Sequence, residues 1–443
     1  MGEDASGGRA ERFGAYMSSI AAVLGDPRRQ GPMTSYCTGL LMPADRKSVE
    51  PMAAMTAPER TAAQHQSLLH FVGKGDWSDA DVLGKVREHV VPAITTHGAI
   101  SAWIIDDTGF PKKGRHSVGV ARQYCGQLGK QDNCQVAVSL SIANDHASLP
   151  VAYRMYLPES WADDLERRDK VGVPHDIEFK TKPQIALDQI EWALRAGVPR
   201  GDVIADAGYG CETRFRTRVS ELRLRYVVGV KSSNAAWTRV EAGVVEAGVV
   251  EAGVVEAGVV EAGGLEVELR MSVEKMALAL ADDAWRTVSW REGTNEKLSG
   301  RFARLRVRVE SDGAAEWLLI EWPEGEKKPT KYWLSTLKTN VSFGHLVHVA
   351  KRRWRIERDY LELKQEIGLG HFEGRGWRGF HHHATLCIAA YGFLISERAA
   401  FPPSETVGTR IFEAPRLPED HVARGAAVAH GTPRPRQHRN LAA

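Results

Sequence analysis

The segment between residues 99 and 231 alternates between apolar strand-like runs and helical stretches, and this alternation limits the choice of fold. AISAWIIDD, NCQVAVSLSIAND and LPVAYRMYLP have the composition and spacing of strands. Helical stretches at 183–197 and 214–222 then alternate with the short apolar runs DVIAD and RYVVGVK. This order predicts a mixed α/β domain, in which 133–145 and 149–158 pair antiparallel across a turn.

Composition and charge narrow the class of protein. The chain has 443 residues, of which 43% are hydrophobic and 26% are charged, as is typical of a globular protein with two or three domains. No apolar run reaches the roughly eighteen residues of a membrane span, and no signal-peptide core is present. We therefore expect a cytoplasmic protein with no membrane partner, and the five scattered cysteines fit a reducing compartment. Because the net charge is only +2, nucleic-acid binding would depend on local basic patches.

The sequence pattern divides the chain into regions of different character. Residues 1–95 are predicted to form a small helical domain, which either binds DNA or packs on its neighbour. The α/β core is expected to occupy 96–239 and 338–400, interrupted by a β-rich insertion at 240–337. Within the insertion, a pentapeptide repeat at 240–264 matches neither the helical nor the strand period, so we expect a loop expansion. The tail 401–443 is predicted to be basic and disordered.

Residues 351–367 predict one uninterrupted helix, because strong helix formers run without Gly or Pro until Gly368. At about 100° per residue, Arg353, Glu357 and Lys364 fall on one stripe, with the carboxylate between two cations. A surface helix stabilised by i,i+4 ion pairs has the same pattern and is the simpler interpretation.

A second helix, predicted to be buried, covers 381–396 and begins with three consecutive histidines. Neighbouring residues on a helix point about 100° apart, so the three imidazoles cannot all face one ion. We therefore interpret residues 381–383 as a polar helix start and not as a metal site.

Two further acids follow apolar strands: Asp106 at the predicted end of the first strand, and Asp206 at the end of DVIAD. If these two acids and Glu357 converge from their separate elements, they need a cation to neutralise them. Hard oxygen ligands suit Mg²⁺ or Mn²⁺, and two such ions support an in-line phosphoryl displacement. From the residues alone, acids that cap or pair structurally remain the alternative to a metal-dependent phosphoryl-transfer site.

Four long motifs limit the possible fold and function further. They are IIDDTGFPKKG, SVGVARQYCGQLGKQDNCQVAVSL, VIADAGYG and RRWRIERDYLELKQEIGLGHFEGRGWRGFHHH. Together they resemble the DDE transposases of bacterial insertion sequences, in the branch with a Y-R-E-K signature, over residues 64–394. This resemblance implies a ribonuclease-H-like core with a β-rich insertion between the second Asp and the Glu. By the same resemblance Asp106, with Asp107 as the alternative, Asp206 and Glu357 are the catalytic metal ligands, and two Mg²⁺ or Mn²⁺ ions are expected.

The resemblance also implies partners and a reaction. Arg353 and Lys364 match the R and K of the signature, where they would hold DNA phosphates, and Lys112 and Lys113 lie in a loop suited to the same backbone. The expected substrate is double-stranded DNA, both the terminal inverted repeats of the element and its target. The expected reaction, in a homodimer near the bacterial nucleoid, is strand cleavage followed by strand transfer.

Ala350 stands where the signature has Tyr, and this departure keeps a second function open: an inactive or domesticated copy that binds DNA without cutting it. A stand-alone nuclease of the ribonuclease-H type is disfavoured by the long N-terminal and insertion segments.

Overall fold

The computed structural model describes residues 8–241, 256–257, 266–292 and 297–402, and its N-terminal region is helical as predicted. Helix α1 shows how these helices form, since its apolar residues recur on one face and bury Tyr16, Met17 and Ile20. The N-terminal helices are α1 (Arg9–Ala21), α2 (Gln30–Leu41), α3 (Val49–Thr56), α4 (Thr61–Gly73) and α5 (Asp79–Thr95).

The helices after residue 95 include those predicted at 183–197, 214–222 and 381–396. They are α6 (Glu159–Ala162), α7 (Leu165–Lys170), α8 (Lys182–Arg195), α9 (Ala207–Gly210), α10 (Thr213–Glu221), α11 (Val273–Leu278), α12 (Phe343–Lys351), α13 (Trp354–Gln365) and α14 (Trp377–Ala400). None of the described helices is long and apolar enough to cross a membrane.

The N-terminal helices share one hydrophobic core with α14. The Tyr16 hydroxyl donates to the Ala389 carbonyl at 2.8 Å, and the Tyr36 hydroxyl lies 2.9 Å from His383 Nδ1. Helix α14 also contacts α5, α2 and α4, and its residues from Gly379 to Phe393 are buried. The helical region is therefore packed on the rest of the molecule, while the domain boundaries expected from the sequence stay predictions.

A large mixed sheet forms the centre of the molecule, as the α/β prediction requires. Strands β1, β5 and β6 run parallel, and the others pair antiparallel in the order β10-β11-β12-β13-β6-β5-β1-β3-β2, with β4 on β3. The strands are β1 (Ala102–Pro111), β2 (Ala121–Cys125), β3 (Lys130–Ala143), β4 (Ser148–Tyr156), β5 (Asp202–Ala205), β6 (Tyr226–Val230), β10 (Arg286–Glu292), β11 (Lys297–Val307), β12 (Glu316–Trp322) and β13 (Lys331–Ser335). A smaller sheet joins β7 (Ala235–Glu241), β9 (Glu266–Ser272) and β8 (Glu256–Ala257).

The β-rich insertion continues the core sheet, because β13 pairs with β6. A buried ion pair also connects the insertion to the core. The Lys351 ammonium, at the end of α12, donates to both carboxylate oxygens of Glu321 on β12, at 2.7 and 2.8 Å. The Lys351 and Glu321 side chains are 15% and 5% exposed, and the ring of Trp290 lies 4.3 Å from the ammonium.

Strand β1 is longer than the sequence predicts. The expected end at residues 106–108 is wrong, since the strand continues to Pro111. Asp106 and Asp107 stay in the ladder because Ser139 and Val138 of β3 pair with them. The two acids therefore lie within a strand and not in a loop after it.

The single helix predicted for 351–367 is also wrong, because the chain forms α12 and α13 with a tight turn at residues 352–353. Around this turn the amides of Arg352, Arg355 and Ile356 donate to carbonyls three residues earlier, at 3.1, 3.1 and 3.2 Å. These bonds wind the chain more tightly than an α-helix. Gly368 ends the helical segment as predicted, with a φ of 88°.

Two predicted segments lie largely outside the described residues. Of the pentapeptide repeat at 240–264, the structure describes 240–241 and 256–257, and of the tail at 401–443 it describes 401–402. The loop expected for the repeat and the disorder expected for the tail stay predictions.

Candidate active site

Asp106 and Asp206 are neighbours across two parallel strands. Trp103 and Ile104 of β1 lie opposite Val203 and Ile204 of β5. Two residues further along, the same register brings Asp106 beside Asp206, and residues two apart on a strand point to the same face. The fold therefore brings together two acids that the sequence analysis proposes as metal ligands.

Asp106 is buried and surrounded by charge. The residue is 8% exposed, and each carboxylate oxygen accepts a hydrogen bond. Oδ1 accepts the Asp107 amide at 2.9 Å, and Oδ2 accepts Arg353 Nη1 at 2.8 Å. Burial raises the pKa of Asp106 to about 7; the charge of Arg353 opposes this rise, and the carboxylates of Asp107 and Asp206 add to it. A carboxyl group in this environment favours a nearby cation.

Asp206 is positioned by the turn that follows β5. Its side chain caps the short helix α9, with Oδ1 accepting the Gly208 amide at 2.8 Å. The end of α9 lies directly against β6: a Cβ on Gly210 would overlap the Gly229 carbonyl oxygen and come within 2.8 Å of Val228 Cβ. The glycine-rich turn seen in the sequence is thus needed for space.

Arg353 connects Glu357 to Asp106 by hydrogen bonds. The Arg353 guanidinium donates from Nη1 to Asp106 and from Nη2 to Glu357 Oε1, at 2.8 and 2.6 Å. The Arg353 and Glu357 side chains are 32% and 57% exposed. The i,i+4 ion pair between Arg353 and Glu357, which the interpretation as a surface helix predicts, is therefore present. Arg353 also binds Asp106, a buried acid on β1.

Asp107 points away from this group, as expected from strand alternation. Its Oδ2 accepts Lys182 Nζ at 2.7 Å and the Tyr209 hydroxyl at 3.4 Å. Neither partner is singled out by the sequence analysis, since nothing local connects the first turn of α8 with a strand 75 residues earlier. The geometry favours Asp106 over Asp107 as the acid that faces Asp206.

The three acids have the ligand atoms that a divalent cation prefers, although they are not arranged around a common point. Asp106, Asp206 and Glu357 offer only carboxylate oxygens, which Mg²⁺ and Mn²⁺ prefer. Among the described residues, no group of three or more His, Cys, Asp or Glu side chains could hold a metal ion as it stands. Arg353 supplies the positive charge between Asp106 and Glu357.

The other predicted DNA-binding cations differ in exposure. Lys364 Nζ donates to the Gly109 carbonyl of β1 at 2.7 Å, and burial lowers the pKa of Lys364 to about 8. Lys112 Nζ donates to the Phe372 carbonyl at 2.8 Å, and burial lowers its pKa too. Lys113 is exposed. Arg353 and Lys364 therefore both face β1, as their common stripe predicts, and Lys113 is directly open to solvent.

The three histidines at the start of α14 are buried and bonded in different directions. His381 Nε2 accepts the Met155 amide at 3.2 Å, the His382 ring nitrogens lie 3.1 and 3.0 Å from the carbonyls of Val72 and Trp77, and His383 contacts Tyr36. The polar helix start is wrong as an interpretation, because distant backbone groups satisfy these rings inside the core.

The face of α13 away from the acids carries a buried carboxyl group, Asp359, which accepts the Tyr391 hydroxyl at 2.9 Å. Burial raises the pKa of Asp359 to about 7 from 3.8, so the folded protein holds this proton more tightly than the unfolded chain does. The group therefore lowers the free energy of unfolding as the pH rises from 3.8 to about 7. We therefore expect the free energy of unfolding of Asp359→Asn, relative to that of the wild type, to increase by roughly 2 kcal/mol from about pH 5 to about pH 8.

Urea unfolding at the two pH values, followed by tryptophan fluorescence, measures this gain. Asp312→Asn is the matched control, since it makes the same chemical change at an exposed position. An Asp359→Asn gain that is equal at both pH values would contradict the assignment.

Comparison with known proteins identifies the family of the chain. A family model described as "DDE superfamily endonuclease" matches residues 21–297, which include Asp106, Asp107 and Asp206 and end before Glu357. A probable transposase for insertion sequence element IS701 from Microchaete diplosiphon is 32% identical over 170 residues. That alignment covers 38% of this chain and 41% of the relative, so it spans less than half of either protein. Since the family model matches more than half of the chain and the fold is the mixed α/β arrangement expected, the protein belongs to the DDE superfamily of endonucleases.

Proposed function

We propose that the protein is a transposase that cleaves DNA at the ends of an insertion sequence and transfers the freed strand to target DNA, with Asp106, Asp206 and Glu357 as ligands of two Mg²⁺ or Mn²⁺ ions. The observation that carries the proposal is the position of Asp106 beside Asp206, with Arg353 joining Asp106 to Glu357. The family match and the transposase relative support it.

Each residue of the candidate site has a different role in the proposed reaction. When bound, the divalent ions would activate the attacking oxygen and stabilise the leaving one. Asp106 and Asp206 come from the sheet and its following turn, so their carboxylates are held on rigid elements, while Glu357 is held on a helix. Lys364 and Arg353 lie on the same side of α13 and offer positive charge to phosphates near the scissile bond.

The substrate and assembly follow from the same proposal. Double-stranded DNA is the substrate, with Lys112 and Lys113, which follow the end of β1, as further phosphate contacts. Paired cleavage at two element ends calls for two active sites, which a homodimer supplies. The protein would act where chromosomal DNA lies, in the bacterial cytoplasm.

The test uses the purified full chain and a supercoiled plasmid that carries its gene with the natural flanking DNA. We expect Mg²⁺-dependent breaks at the element boundaries that leave 3′ hydroxyl ends, and no product with EDTA. Breaks scattered over the plasmid, or breaks that do not need Mg²⁺, would contradict a transposase.

A second function, DNA binding without cleavage, is favoured by one observation. Ala350 replaces the signature Tyr and is buried on α12, at 3% exposure, so no phenol hydroxyl is available there. The same assay decides between the two, since this alternative predicts complexes in a gel-shift experiment and no cleavage product.

A further inference from the structure

Arg353 uses its two terminal nitrogens on two different acids. Nη1 donates to Asp106 Oδ2 and Nη2 donates to Glu357 Oε1, at 2.8 and 2.6 Å. Because a guanidinium does not lose its proton in proteins, this cation is permanent, and its planar fork suits two carboxylates at once. Arg353 thus bridges two of the three residues to which a metal-binding role is given above.

This bridge and a bound metal compete for the same atoms. Each oxygen of Asp106 already accepts one hydrogen bond, Oδ1 from the Asp107 amide and Oδ2 from Arg353. The positive charge of the Arg353 guanidinium lies 2.8 Å from Oδ2. An ion would have to approach within about 2.0–2.6 Å of these oxygens. Because an ion at Oδ2 would be repelled by the adjacent guanidinium, the ion and Arg353 exclude each other there.

A DNA phosphate offers Arg353 an alternative partner. The side chain is 32% exposed at the junction of α12 and α13, so it has a route to solvent. Phosphate oxygens accept the same two-pronged donation from arginine as carboxylates do. Once Arg353 turns to a phosphate, the oxygens of Asp106 and Glu357 lose their cationic partner beside Asp206, and a divalent cation can take its place.

We propose that Arg353 is an exchangeable cation: in the DNA-free protein it takes the place of the divalent ion at Asp106 and Glu357, and it moves to phosphate when DNA binds. This inference rests on the proposed metal ligands and adds a regulatory property to that site. DNA and metal then strengthen each other's binding, so the cleavage site is completed only on DNA. Such coupling is reciprocal.

The test measures Mn²⁺ binding to the full chain from the electron paramagnetic resonance signal of free Mn²⁺, with and without a short DNA duplex, after subtraction of Mn²⁺ bound by the duplex alone. For the wild type we expect weak binding that tightens roughly 5- to 150-fold with DNA, the usual range of coupling between sites. Arg353→Ala should bind Mn²⁺ tightly without DNA and show no further gain. Arg353→Lys keeps the charge but loses the fork, and should resemble Arg353→Ala more than the wild type.

Lys182→Ala is the matched control, because it removes a nearby cation that pairs with Asp107 and touches neither Asp106 nor Glu357. An equal increase in Mn²⁺ affinity in Lys182→Ala would mean that local charge, and not the bridge, is responsible, and would overturn the proposal. So would identical Mn²⁺ affinity in the wild type and Arg353→Ala.

Asp206→Asn separates this inference from the proposed function. Loss of Mn²⁺ binding in Asp206→Asn, with no tightening in Arg353→Ala, would disprove the exchange and leave the metal site in place. Unchanged Mn²⁺ binding in Asp206→Asn would reject the metal site itself.

Discussion

Replacing Asp106, Asp206 or Glu357 by its amide should lower the rate of DNA cleavage on the order of 10³-fold or more, with DNA binding largely retained. Each substitution removes one anionic ligand from a site that must hold divalent cations, whereas contacts to phosphate are made by other side chains. Cleavage is measured on the plasmid with Mg²⁺, and binding by gel shift. Wild-type cleavage in Asp206→Asn or Glu357→Gln would show that the assignment is wrong.

Asp107→Asn is the internal control for this series. Asp107 lies next to Asp106 on the same strand, but it points to Lys182 and Tyr209. We expect this variant to cleave within about tenfold of the wild type, because it keeps all three proposed ligands. If Asp107→Asn is inactive and Asp106→Asn is active, the two acids exchange roles and the alternative first ligand is correct.

Gly210→Ala should lower the free energy of unfolding by roughly 1–3 kcal/mol and reduce cleavage as well. An added methyl group would overlap the Gly229 carbonyl oxygen and press on Val228, so α9 must move away from β6. That movement displaces Asp206, which caps the same short helix. Thermal or urea unfolding gives the stability, and the plasmid assay gives the rate.

Gly84→Ala supplies the comparison, since Gly84 lies in α5 with no atom near the position of an added Cβ. There the substitution should raise stability by up to about 1 kcal/mol, because alanine favours a helix more than glycine does. Equal stability in the two variants would mean that α9 accommodates a side chain after all.

The elements that could be predicted from sequence are those specified by local pattern. The alternation of 133–145 and 149–158 gives β3 and β4 in the expected antiparallel pairing, and DVIA followed by a glycine-rich turn gives β5 and the position of Asp206. The local pattern does not indicate which strands pair when they are far apart in the sequence. β13 binds β6 through backbone groups that every strand carries, so the joining of the insertion to the core sheet has no sequence signal of its own.

For the candidate site, the spacing of residues along a helix is easier to predict than the path of the backbone. The residues on the stripe of Arg353 and Lys364 were recognisable, because helical spacing is a local property. The turn at residues 352–353 was not recognisable, since Arg352 and Arg353 are good helix formers. The two residues of this turn make long-range contacts. Arg352 donates to Ser101 Oγ at 2.6 Å and to Asp145 at 2.7 Å, and Arg353 donates to Asp106.

The buried pair of Lys351 and Glu321 has a consequence for how such chains can be recombined. Lys351 stands two residues before Arg353, so the insertion strand that carries Glu321 helps to set where Glu357 is held. A chimaera that exchanged β12 without α12 would bury one unpaired charge, at a cost of about 3–5 kcal/mol. The insertion and the helix pair after it should therefore be inherited as one module, with length variation confined to connections such as the one between β7 and β9.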